Sequence, residues 1–135
     1  MLKYSRQREA IKRFLINRTD HPTADTVYVN IKKEFPNISL GTVYRNLSLL
    51  ASLGEIAKIN CGDNSDHFDP NTLPHYHFYC RHCGCVQDIH IPTDFQLDQE
   101  AQKQFDGHID SHSICFYGIC RSCMESKDYK NKKIS

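Results

Sequence analysis

Phe35-Pro36-Asn37-Ile38-Ser39-Leu40-Gly41-Thr42-Val43-Tyr44-Arg45-Asn46-Leu47-Ser48-Leu49-Leu50 decides the architecture of the first half of the chain. Pro36 lacks a backbone donor and is expected to end the helix that arrives from Thr23. Ser39 can cap a new helix, in which Leu40, Val43, Tyr44, Leu47 and Leu50 recur at the helical period toward Gly54. Two helices joined by so short a turn suggest a helix-turn-helix. Thr42, Arg45 and Asn46 fall near the start of the later helix and away from its strongest apolar stripe, as a major-groove reader requires.

On the N-terminal side, Ser5 can cap a helix carrying Ala10, Ile11, Phe14 and Leu15, and Thr23 a second carrying Ala24, Val27, Tyr28, Ile31 and Phe35. On the C-terminal side, Glu55 to Asn60 and His67 to Asp69 flank the turn-rich Cys61-Gly62-Asp63-Asn64-Ser65-Asp66. They read as a two-stranded wing, although their alternation is poor. Pro70-Asn71-Thr72-Leu73-Pro74, with two prolines close together, reads as an extended hinge. Strands are expected at His75 to Cys80 and Cys85 to Ile91, then a helix capped by Asp94 with Leu97, Ala101 and Phe105 on one side, then a long strand from His108 to Tyr117. The expected organisation is α+β: a winged helix over residues 1–69, a hinge at 70–74, a small α/β domain over 75–126, and a polar tail over 127–135.

With 17 basic and 16 acidic side chains the chain is nearly balanced, at a formal +1, but the balance is uneven. Residues 1–50 hold nine basic side chains against Glu9, Asp20, Asp25 and Glu34, a net of +5, which is a modest electrostatic footprint for duplex DNA. A solvated helix face is the bland reading of the same charge. No long apolar run and no secretory leader occurs, so no membrane partner is expected and the cytoplasm is the expected location.

Seven cysteines are an odd count. Cys80-Arg81-His82-Cys83 and Cys120-Arg121-Ser122-Cys123 have the spacing of a tetrahedral four-thiolate zinc site, which leaves no position open for water or substrate and is therefore structural. Cys61, Cys85 and Cys115 stand outside the pairs and read as small buried hydrophobes. In His75-Tyr76-His77 the two imidazoles project from the same face of a strand. Asp69, Asp88 and His21 could complete with them a nitrogen and oxygen site drawing on both domains. Such ligands suit Fe(II), Mn(II) or Zn(II) better than a thiolate cage does.

These landmarks resemble the ferric uptake regulator (Fur) superfamily, most closely its peroxide-sensing (PerR) branch. The resemblance runs from Tyr4 to Cys123 and is carried by His21-Pro22-Thr23-Ala24-Asp25, the Phe35 to Leu47 segment, Phe68-Asp69, His75-Tyr76-His77, Cys80-x-x-Cys83-Gly84 and Tyr117-Gly118-Ile119-Cys120-x-x-Cys123. It implies a winged helix, a dimerisation domain held by zinc on Cys80, Cys83, Cys120 and Cys123, and a regulatory metal on His21, Asp69, His75, His77 and Asp88. Aspartate at position 88 is similar to the peroxide sensors, whereas iron-sensing relatives often have glutamate there. Relatives usually carry a further helix before the segment matching Tyr4 to Arg8, and its DNA contacts are not carried over because Met1 lies only three residues before Tyr4. Tyr76 stands where many members have an acidic ligand of an additional site, so His112 is read as an ordinary strand histidine. His67, His82, His90 and His108 receive no role.

The expected function is that of a homodimeric, metal-dependent repressor, not an enzyme, bound to a roughly palindromic DNA operator through Ser39, Thr42, Tyr44, Arg45 and Asn46. Tyr44 fits helix packing equally well. The resemblance implies a structural Zn(II) and a regulatory Fe(II) or Mn(II), with Zn(II) also chemically acceptable. It further implies release of DNA when peroxide oxidises His21 or His75; a sensor of metal occupancy alone is the alternative. A metallohydrolase built on His75, His77 and an aspartate lacks a second histidine cluster, and a zinc-stabilised module without DNA binding would show no metal-dependent shift of operator DNA.

Overall fold

The computed structural model describes residues 2–62 and 64–126; Asp63 and the expected tail at 127–135 lie outside the described residues. The chain divides into two compact units, with the boundary between Leu73 and Pro74.

In the first unit, α1 (Arg6–Leu15), α2 (Ala24–Ile31) and α3 (Leu40–Ser52) precede β1 (Ala57–Ile59) and β2 (His67–Asp69). Each helix starts where a short polar side chain can take an otherwise unpaired N–H. Ser5 Oγ accepts from Arg8 N–H at 3.2 Å, Thr23 Oγ1 from Thr26 at 3.4 Å, and Ser39 Oγ from Thr42 at 3.1 Å. The helices bury Ile11, Leu15, Val27, Val43, Leu47 and Leu50 together with Ile38, Ile56 and Phe68 in one core. Burying a side chain of this size stabilises by about 1.5–3 kcal/mol.

Two boundaries differ from expectation. Helix α2 stops at Ile31, and the N–H groups of Glu34 and Phe35 both turn back onto the Ile31 carbonyl, so the chain leaves the helix before Pro36 is reached. The wing pairs only over three residues, Ala57 opposite Asp69, Lys58 opposite Phe68 and Ile59 opposite His67. Strand β2 also leans on the segment before α2: Phe68 N–H donates to the Pro22 carbonyl at 3.0 Å, and His67 bridges Thr23.

The second unit is a three-stranded sheet in the order β4 (Val86–Ile89), β3 (Tyr76–Cys80), β5 (Cys115–Gly118), with α4 (Phe95–Lys103) and the short α5 (Arg121–Met124). Strand β3 pairs antiparallel with β4 and parallel with β5. Gly84, at φ +79°, turns the chain between β3 and β4 and donates its N–H to the Cys80 carbonyl at 2.8 Å. The long strand expected from His108 is shortened to begin at Cys115. Residues 106–113 are mostly polar and lack apolar alternation, and the Gln102 side chain of α4 takes two of their backbone groups instead, donating to Gly107 O at 2.7 Å and accepting from Ile109 N–H at 2.8 Å. Asp94 caps α4 as expected, accepting from Gln96 N–H at 3.0 Å, but α4 buries none of its residues, and Leu97 and the nearby Phe105 stay exposed. Among the described residues no helix is long and apolar enough to cross a membrane.

Candidate metal centres and nucleic-acid face

The second unit brings one sulfur from each of Cys80, Cys83, Cys120 and Cys123 within 4.8 Å of every other. Strand β3 delivers Cys80, the Gly84 turn delivers Cys83, and the start of α5 delivers Cys120 and Cys123. Burial opposes a thiolate on Cys80, but donation from the backbone N–H groups of Cys83, Cys120 and His82 outweighs it and holds the thiol at about 6. Cys120 is lowered mainly by a backbone bond at Cys123, whereas burial and then the neighbouring sulfurs push Cys123 well up. Four sulfurs so close cannot all ionise against one another; a doubly charged soft cation removes that conflict, so the donor set fits zinc. His82 Nδ1 lies 3.2 Å from Cys123 Sγ. Cys85 stays outside the cluster, and burial pushes its thiol up to about 12.

The nitrogen and oxygen candidates fall into two sets. In the first unit, His21 Nε2 lies 3.6 Å from Asp69 Oδ2, and both side chains are 1% exposed. The other Asp69 oxygen accepts the Asn71 N–H at 2.8 Å, leaving Oδ2 turned to the imidazole. His21 occupies the left-handed region at φ 49°, uncommon for a residue with a Cβ, and its carbonyl accepts from His67 Nδ1–H at 2.8 Å. A carbonyl can only accept, so this bond fixes the His67 tautomer. Sequence reasoning gave His67 no role; the partners are 46 residues apart, and only the pairing of β2 with residues 21–23 brings them together.

In the second unit, sheet register places His77 directly opposite Asp88. Asp88 Oδ1 lies 3.0 Å from His75 Nε2 and 3.5 Å from His77 Nε2, and the two rings are 4.4 Å apart. All three side chains are mostly buried. His112 is not a strand histidine: it precedes β5, and its Nδ1–H donates to Asp98 Oδ1 at 2.7 Å while its Nε2 accepts the Tyr76 hydroxyl at 2.9 Å. The Tyr76 oxygen in turn accepts the Asp94 N–H at 2.9 Å, which ties β3 to the cap of α4.

On α3, Thr42 Oγ1 accepts from Ser39 Oγ–H at 2.9 Å and Arg45 Nη2 at 3.0 Å, and Asn46 Nδ2 donates to the Thr42 carbonyl at 3.1 Å. Ser39 and Arg45 are exposed. Tyr44, whose spacing left packing and exposure equally open, is 41% exposed and outside the buried core.

Residues 1–117 match the sequence profile of the ferric uptake regulator family. The chain belongs to this family. A relative within reach of the ferric uptake regulators is the peroxide-responsive repressor PerR of Staphylococcus epidermidis, 41% identical over 119 residues, which cover 88% of this chain and 79% of that protein. The Helicobacter pylori ferric uptake regulator, described as having three functional metal binding sites, superposes with a TM-score of 0.75 at 25% identity, over 93% of this chain and 85% of that one. The Campylobacter jejuni peroxide stress regulator gives a TM-score of 0.67 at 31% identity, over 87% and 88%. Membership of the ferric uptake regulator family makes this chain a metal-responsive, DNA-binding transcription regulator rather than an enzyme.

Proposed function

We propose that the chain is a homodimeric repressor that holds a roughly palindromic duplex operator while a regulatory metal is bound, and releases it when hydrogen peroxide oxidises that site. Cys80, Cys83, Cys120 and Cys123 would hold a permanent structural Zn(II). His21 and Asp69 from the first unit, with His75, His77 and Asp88 from the second, would share one Fe(II) or Mn(II), with Zn(II) a competitor. The carrying observation is the Asp88 carboxylate with two imidazoles on one oxygen: three ligands are too few for these ions, and the buried His21 and Asp69 would be the two that complete five. An ion held well only when both units contribute favours the arrangement in which they do so, and operator affinity follows that population. Ser39, Thr42, Tyr44, Arg45 and Asn46 of the α3 region would face the DNA, and the protein would act in the cytoplasm.

Fe(II), when bound, would supply the one-electron chemistry that opens the peroxide bond. The two electrons that reduce hydrogen peroxide would come overall from the imidazole of His21 or His75, whose ring C–H would become C–O with one peroxide oxygen while the other leaves as water, and the altered ring would ligate less well. Similarity to the peroxide-responsive repressor of Staphylococcus epidermidis supports this reading. The test is operator binding by the iron-loaded protein before and after peroxide, with peptide mass spectrometry. The expected result is loss of binding with a 16-dalton gain, about one oxygen, at His21 or His75. Binding retained with no oxygen added would leave the second reading, a sensor of metal occupancy alone.

A further inference from the structure

We propose that Asp66 is a specificity-determining residue: it holds the Tyr44 ring in position on the DNA face and masks Lys58 from phosphate, so that selectivity is gained at the expense of affinity. The inference rests on the DNA-binding reading above. Tyr44 donates its hydroxyl to Asp66 Oδ2 at 2.8 Å, bridging α3 to the wing across 22 residues. Asn60 Nδ2 donates to the other oxygen of Asp66 at 3.2 Å, and the Asn60 side-chain carbonyl is itself fixed by the Gly62 N–H at 2.7 Å. Lys58 Nζ sits 4.0 Å from Asp66 Oδ2 and 5.4 Å from the centre of the Tyr44 ring. Tyr44 and Asp66 line an open groove of about 580 Å³ together with Thr23, Leu40, Arg45 and Asn64.

A carboxylate on a surface meant for phosphate is costly, because it repels the backbone it faces and cancels a neighbouring cation. Asp66 is ionised at neutral pH, its carboxyl held below the ordinary range first by the Tyr44 hydroxyl, against burial, and then by Asn60 and Lys58. The bond to Asp66 consumes the only donor of Tyr44, and the residue remains 41% exposed. A ring fixed in this way can press on a base edge or a thymine methyl, which depends on sequence; a free lysine would grip any phosphate.

The test uses the metal-loaded full chain, a duplex selected from a randomised pool by the wild type, and a scrambled duplex of equal composition. Anisotropy titrations are made over a range of salt. Asp66→Ala should bind the scrambled duplex several-fold more tightly, with a salt slope steeper by about one, while the ratio of selected to scrambled affinity falls by about tenfold. Asp66→Asn removes the charge but keeps an acceptor for Tyr44; it should gain the same non-specific affinity and lose less of the ratio. Tyr44→Phe should lower the ratio in the wild type and change it little in Asp66→Ala, since both remove one bond. A ratio for Asp66→Ala within about twofold of the wild type, or equal weakening on both duplexes as a merely structural role gives, overturns the proposal. Failure of the wild type to prefer any duplex is seen before a variant is made, and removes the DNA-binding reading itself.

Discussion

His67 offers no ligand atom to the proposed site but is hydrogen-bonded to the backbone of one of its candidate ligands. Its Nδ1–H holds the carbonyl of His21, whose backbone sits at φ 49°. Residues that orient a ligand commonly account for 10–100-fold in metal affinity. Replacing His67 with Ala should weaken regulatory metal binding by about that factor while zinc content per chain stays unchanged, as equilibrium metal titration with elemental analysis would show. An unaltered affinity would remove His67 from the site. The candidate ligands themselves were legible because His75, His77, Asp69 and the cysteines sit in short local patterns. His67 and Asp66 were not, since their partners are remote in sequence and are chosen by strand pairing. Asp20 offers a simpler test. Its carboxyl is held below the ordinary range first by hydrogen bonds from Arg18, against some burial. A lowered carboxyl contributes stability above its unfolded value and loses it as pH falls through the folded value. Asp20→Asn should therefore cost under about 1 kcal/mol at neutral pH, because the pair is exposed, and progressively less as pH falls below the ordinary carboxylate range, measured by urea unfolding.

Helix α3 joins the core to the proposed DNA face, and its two sides should respond differently to mutation. Leu47 is fully buried, so Leu47→Ala should cost about 2–5 kcal/mol and lower the urea midpoint of the first unit. Ser39→Ala should cost about 1 kcal/mol by removing the cap, read from the same unfolding curves. The helices could be read from the sequence because periodicity and capping are local signals, as Ser5, Thr23, Ser39 and Asp94 show. Strand limits were less legible. Nothing local tells residues 107–109 that the Gln102 side chain will bond the backbone of Gly107 and Ile109 in place of a neighbouring strand. Leu97, Ala101 and Phe105 lie on or beside an amphipathic helix as expected, yet periodicity alone does not say that they remain exposed in one chain.

The two units draw on different sources of stability. The first has a continuous apolar core from three helices and the wing. In the second, the buried side chains among the described residues are Tyr76, Cys80, Val86, Cys120 and Cys123, so three of the five are candidate zinc ligands. A strong chelator, or Cys120→Ser, should unfold the second unit and leave the first folded, so that far-UV circular dichroism keeps most of its helical signal while amide protection in β3, β4 and β5 is lost. Concerted loss of both units would show that they do not stand separately. The parallel pairing of β3 with β5 has a consequence for how the protein is made. Cys120 N–H reaches Cys80 Sγ across 40 residues, and contacts so distant form late in folding. Until they form, β3 has an open edge, the kind of surface on which unfinished chains pair with one another. If zinc fills the four cysteines as proposed, its supply would then set how many chains mature and how many aggregate, so a shortage of zinc would silence the regulator whatever its second site holds.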